Sequence, residues 1–130
     1  MAAPSAAGRC PCGSGDAYEA CCGPILSGRP APTAERLMRS RYTAFAVGDA
    51  AYLRRSWHPS TRPDAIDIDP ELRWLRLDII GKEAGGPFDA AGVVEFEAIH
   101  RDASGRGVLR ERSRFVREGG RWYYVDGDVA

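Results

Sequence analysis

Val108-Leu-Arg-Glu-Arg-Ser-Arg-Phe-Val-Arg-Glu-Gly-Gly-Arg-Trp-Tyr-Tyr-Val125 is the stretch whose reading decides the fold. Two alternating runs flank Gly119-Gly120, and a glycine pair in that place marks a two-residue hairpin turn, because both of its central residues need positive φ. In the first run Leu109, Glu111, Ser113 and Phe115 share one side of a strand and Arg110, Arg112 and Arg114 the other. With the glycines at the tip, Phe115 faces Tyr124, Ser113 faces Asp126 and Arg114 faces Val125.

Upstream, Ala91 to Arg101 alternates Val94, Phe96, Ala98 and His100 against Glu95, Glu97 and Ile99. Setting Glu95 and Glu97 among the arginines also brings the apolar set beside Leu109 and Phe115, so charge and hydropathy agree on one register. A further run, Leu72 to Lys82, puts Leu75, Leu77 and Ile79 on one side, and Gly85-Gly86-Pro87 ends it. Before it the period is helical. Thr33 caps a helix with Met38, Arg41, Tyr42 and Phe45 on one face and Gly48 at its end. Asp49 caps a second, short helix in which Tyr52, Leu53, Ser56 and Trp57 share a face, and Pro59 stops it. The pattern predicts an α+β fold: N-terminal helices, then an antiparallel meander with an apolar-aromatic face toward them and a Glu/Arg face toward water.

A chain of 130 residues fits one domain with a small appendage, and 44% apolar with 28% charged residues is the balance of an ordinary globular protein. Eighteen Lys and Arg offset eighteen Asp and Glu, which argues against nucleic acid as a partner. No apolar run approaches the length of a membrane helix, so membrane spanning is excluded from the reading. The first residues lack a charged and an apolar signal region, which predicts a cytoplasmic protein.

All four cysteines fall between residues 10 and 22, and clustering of this kind in a reducing compartment points to metal rather than disulfides. Cys10-Pro-Cys12 and Cys21-Cys22 are brought together by the turn between them, so that Cys10, Cys12, Cys21 and Cys22 can surround one zinc ion tetrahedrally. A closed four-thiolate site has no open position for water, so this zinc is structural. The alternatives are an unmetallated loop, a redox pair at Cys10 and Cys12, or a vicinal disulfide at Cys21-Cys22; none of them needs all four sulfurs with interleaved glycines. The block closely resembles the SEC-C motif, a small zinc knuckle that recurs as an attached module. The four cysteines fall on that motif's ligand positions, and Gly13, Ser14, Gly15, Tyr18 and Gly23 on its framework.

Arg36-Leu-Met-Arg-Ser-Arg-Tyr-Thr-Ala-Phe45, Tyr52 to Arg62, Glu111-Arg-Ser-Arg-Phe115 and Trp122-Tyr-Tyr-Val-Asp-Gly127 resemble the YchJ-like family of bacterial proteins, which is of unestablished activity. The resemblance implies a SEC-C knuckle on a nuclear transport factor 2-like cone, a curved antiparallel sheet wrapped on helices. It divides the chain into a flexible lead (1–8), the knuckle (9–24), a Pro/Gly linker (25–32) and the cone domain (33–130).

Such a cone encloses a pocket, and the register sends Glu111, Ser113, Tyr124 and Asp126 into it from the strands, with His100 at a strand end expected to be exposed. Arg41, Tyr42, Trp57 and His58 approach from the helices. The leading reading is an adaptor whose partner is another protein, and the alternative is a pocket for a small-molecule ligand. In the latter, Glu111 and Asp126 repel each other, raising one pKa for hydrolase- or isomerase-like chemistry with His58 as proton partner. No catalytic residue is assigned, because an inner carboxylate beside Arg41 equally forms a structural ion pair.

Overall fold

The computed structural model describes residues 8–130. Of the expected lead, only Gly8 lies within the described residues, where its carbonyl accepts from the Tyr18 amide at 2.8 Å. A single turn at Tyr18–Ala20 leads into α1 (Cys22–Leu26), followed by α2 (Ala34–Val47), α3 (Ala50–Arg55) and the strands β1 (Arg73–Ala84), β2 (Ala91–Asp102), β3 (Gly105–Glu118) and β4 (Arg121–Val129). The strands form one antiparallel sheet in sequence order, and α2 packs across its inner face against β1, β2 and β4. This is the α+β meander that the alternations predict. No helix among the described residues is long and apolar enough to cross a membrane.

Local chemistry sets the helix ends as expected. Thr33 accepts from the Arg36 amide at 3.1 Å, Asp49 accepts from the Tyr52 amide at 3.0 Å, and Gly48 closes α2 at φ 80°. At the β3–β4 hairpin Gly119 and Gly120 have φ 59° and 79°, the positive pair that the turn requires.

Three expectations change. First, the β3–β4 register slips by one residue between Arg114 and Phe115: Phe115 faces Tyr124, but Arg114 faces Asp126 and Ser113 faces Gly127. Val125 is the extra residue of a bulge, and because side chains alternate with period two, everything beyond it changes face. Second, a similar break between Trp74 and Arg76 leaves Leu75 on the exposed side, while Trp74 and Leu77 turn toward the helices. Third, residues 25–32 do not form a free linker, since Ile25, Leu26 and Ala31 are buried in the same core as the four cysteines, Leu37, Phe96 and Phe115. Gly28, at φ 125°, turns the chain out of α1, and Pro30 and Pro32 beyond it do not stop their apolar neighbours from packing.

Candidate metal centre and cone pocket

The four cysteine sulfurs lie within 4.8 Å of one another, and all four residues are buried. Cys12 Sγ is 3.6 Å from Cys21 Sγ, which is 4.0 Å from Cys22 Sγ. A tetrahedron with metal to sulfur bonds of about 2.3 Å has sulfur to sulfur edges of roughly 3.8 Å, so the spacing suits one ion. The local backbone explains how a short loop achieves this. The Cys10 amide donates to the Asp16 carbonyl at 2.9 Å, and Gly13 and Gly15 take φ 78° and 92°, reversing the chain between the two pairs. A Cβ on Gly23 would stand 2.8 Å from the Tyr18 carbonyl oxygen, so glycine is required for that close approach.

Hydrogen bonds with Cys12 and Cys22 hold the Cys10 thiol far below the usual value, whereas those with Cys10 and Cys12, reinforced by burial, push the Cys22 thiol up. Packing thus drives the Cys10 and Cys22 thiols in opposite directions, and a divalent cation favours the thiolate in both. Polar support lies close by, with the Ser14 hydroxyl 3.1 Å from Cys21 Sγ and the Thr43 hydroxyl 3.7 Å from Cys10 Sγ. Arg39 Nη1 donates to the Cys12 carbonyl at 2.8 Å, which ties the loop to α2. The buried donor set, the spacing and this support fit a closed, structural metal site.

On the other side of α2, a cavity of about 290 Å³ opens between helix and sheet. Arg41, Tyr42, Trp57, Glu111, Ser113 and Tyr124, six of the eight side chains expected in the pocket, line it. Glu111 Oε2 accepts from the Ser113 hydroxyl at 2.5 Å and from the Tyr124 hydroxyl at 3.3 Å; Oε1 takes no hydrogen bond among the described residues. Arg41 is buried, its guanidinium carbon 5.0 Å from the Trp57 ring centre and 4.5 Å from that of Tyr124. Its Nη1 donates to the Leu53 carbonyl at 2.9 Å and to the Ser56 hydroxyl at 2.7 Å. Desolvation lowers its pKa to about 10, so it remains a cation at neutral pH, packed against aromatic faces and forming no ion pair with Glu111 across the cavity. Burial pushes the Tyr42 and Tyr124 phenols up to about 12, helped at Tyr124 by the Glu111 charge.

Asp126 and His58 stand elsewhere. The Val125 bulge puts Asp126 on the outer face, where Arg114 Nε contacts its Oδ1 at 2.6 Å and Arg114 Nη1 reaches Asp128 at 2.8 Å. Glu111 and Asp126 therefore occupy opposite faces, and the expected carboxylate pair does not form. α3 ends at Arg55, and the chain then runs extended along β4, with the His58 amide donating to the Tyr124 carbonyl at 2.7 Å. Consecutive residues of an extended segment point to opposite sides. Trp57 accordingly meets Tyr124 on the inside, while His58 packs against Tyr123 and bonds Glu118 at 2.9 Å outside. His100, expected to be exposed, instead packs edge-on against Trp74 with its Nδ1 buried.

The cavity walls also contain Met38, Phe45, Trp74, Phe96 and Leu109. All but Trp74 follow from the helical and strand faces already drawn; Trp74 was hidden by the bulge at Leu75.

A buried four-cysteine knuckle packed on an NTF2-like cone defines the class of protein. Within that class the chain belongs to the YchJ-like family: the model described as YchJ, middle NTF2-like domain, matches residues 33–127, and the SEC-C motif matches residues 9–24. A UPF0225 protein of Streptomyces avermitilis is 55% identical over 120 residues, 92% of this chain and 83% of the relative. Another from Chromobacterium violaceum is 50% identical over 126 residues, 93% of each chain. The solution structure of a SEC-C motif containing protein from Rhodopseudomonas palustris matches with a TM-score of 0.81 at 38% identity, covering 93% of this chain and 98% of that one.

Proposed function

We propose that this protein is a ligand-binding module in which a structural zinc in the four-cysteine knuckle stiffens α2, and the cone cavity takes a small, flat, largely apolar molecule carrying one hydrogen-bond donor. The observation that carries this reading is the cavity itself: aromatic walls around a single carboxylate, Glu111, that has one oxygen unclaimed among the described residues. Four thiolates in a closed shell select zinc among the common divalent ions. A catalytic role finds less support, since neither His58 nor Asp126 is in reach of Glu111. The protein-adaptor reading is weakened by the knuckle's burial, for its sulfurs pack onto α2 instead of facing a partner.

The test combines metal analysis with a donor-bearing probe. Protein purified without added metal is expected to carry one zinc per chain, lost in Cys12→Ala; less than about half an equivalent overturns the zinc assignment. 2-Naphthol is expected to quench tryptophan fluorescence saturably through Trp57 and Trp74 and to bind about tenfold more weakly to Glu111→Gln, in keeping with a hydrogen bond to a charged group. Absence of saturation, or equal affinity in a cavity-filling Leu109→Trp variant, overturns the ligand reading and returns the adaptor.

A further inference from the structure

A second cavity, of about 330 Å³, lies on the opposite flank, between the loop that follows α1, α3 and the start of β4. Its floor is apolar, formed by Ile25, Ala31, Leu37 and the Trp122 ring, and three guanidinium side chains, Arg29, Arg55 and Arg121, converge on it with no carboxylate among the lining residues.

On the outer sheet face Arg110 pairs with Glu95, Arg112 with Glu83, and Arg114 with Asp126 and Asp128. The three at this cavity form no ion pair with any described residue. Arg55 donates to the Leu26 carbonyl and lies 5.0 Å from the Tyr52 ring centre, and Arg121 reaches the Gly28 carbonyl at 3.3 Å. Glu118, which faces Arg121 across the hairpin, gives its carboxylate to His58 instead. Carbonyl and aromatic contacts orient Arg55 and Arg121 without neutralising them, and with Arg29 they bring three cations to one hollow. The wall also holds an unsatisfied donor, since Trp122 is 3% exposed and its indole Nε1 has no acceptor.

We infer that this cavity is an anion site that binds the phosphate or carboxylate of a small organic molecule in the fork of Arg29, Arg55 and Arg121, with the molecule's apolar body on the Ile25, Ala31 and Trp122 floor. The cavity is distinct from the cone pocket, and its volume is at the small end of ligand sites.

Phenyl phosphate, benzoate and benzyl alcohol share a ring and differ in charge, so titrating each into the full-length, metal-loaded protein separates phosphate from carboxylate and both from apolar binding. The readout is the indole N–H resonance of Trp122 in a nitrogen-15 spectrum. One or both anions are expected to shift it saturably, benzyl alcohol is not, and Arg29→Gln with Arg121→Gln is expected to weaken binding at least tenfold. These two side chains sit at the exposed rim, and an unchanged spectrum elsewhere shows the double variant to be folded. Equal shifts from benzyl alcohol, equal affinity in the double variant, or anion-induced shifts centred on Arg110 and Arg112 of the outer sheet overturn the inference. Loss of 2-naphthol binding in the cone leaves this result untouched.

Discussion

Gly127→Ala tests the arrangement of the cone pocket at one atom. Gly127 faces Ser113 across β3 and β4, and the Glu111 side chain lies over it, so a Cβ there would meet Glu111 Cδ at 2.6 Å and Cγ at 2.9 Å. The backbone at 127 is not in the left-handed region, so alanine adds a clash and little else. The carboxylate must swing away, and Ser113, fully buried, loses its acceptor. An orphaned buried hydroxyl costs about 1–3 kcal/mol. Tyr124 is half-buried and bonded at 3.3 Å, so its share is small. The expected loss is about 2 kcal/mol, which for a domain of this size lowers the melting temperature by roughly 6–10 °C. Glu111→Ala removes the same acceptor and should lose a similar amount. Glu111→Ala removes the three atoms nearest the Cβ at 127, so the double variant is expected to lose about 2 kcal/mol rather than about 4. Guanidinium unfolding of the four proteins at fixed zinc measures the cycle. Losses that add to within about 0.5 kcal/mol would refute the contact between Glu111 and Gly127.

A chain beginning at residue 33 is expected to lose cooperative unfolding, because it lacks the cysteines, Ile25, Leu26 and Ala31 of the shared core; a sharp thermal transition in that truncation refutes the shared core. Of the five tyrosines, Tyr42 and Tyr124 should ionise near pH 12, against about 10 for a free phenol, and absorbance at 295 nm should lose one such step in each Phe variant. Because the folded pKa values are raised, the stability these two phenols contribute is complete below pH 10 and declines between about 10 and 12. Arg41→Met leaves the Leu53 carbonyl with only the Ser56 hydroxyl as donor but removes a buried charge, so its unfolding free energy should change by less than about 1.5 kcal/mol, whereas a loss above about 3 would mean that Arg41 is paired with Glu111.

The helices and the hairpin were legible because each depends on local chemistry: a cap at Thr33 or Asp49, a positive φ at Gly119 and Gly120, and Met38, Tyr42 and Phe45 on one face of α2. The three breaks in register, two in β1 and one in β4, were not, because an extra residue leaves the composition of a strand unchanged while reversing its faces. At β4 a signal did exist. The unbulged register sets Arg112 and Arg114 against Gly127 and Val125, whereas the bulged one sets them against Asp128 and Asp126, as found. Charge complementarity across the outer face outweighs simple alternation there. His58 departs from expectation for a related reason: it lies three residues beyond the end of α3, where Trp57 and His58 alternate instead of following the helical period.

The linker between the knuckle and the cone shows where composition misleads. Gly28, Pro30 and Pro32 keep the segment after α1 irregular, yet Ile25 and Leu26 before it and Ala31 within it are buried, and it is burial that decides whether two parts fold as one. The consequence runs through α2. Arg39 and Thr43 on one side of this helix hold the cysteine loop, while Met38, Arg41, Tyr42 and Phe45 on the other wall the cavity. A helix of 14 residues is marginal by itself in water and takes its order from what packs against it. The knuckle thus acts on the pocket without touching it: whatever fixes the four sulfurs also fixes the helix that shapes the cavity, and loosening one side must loosen the other.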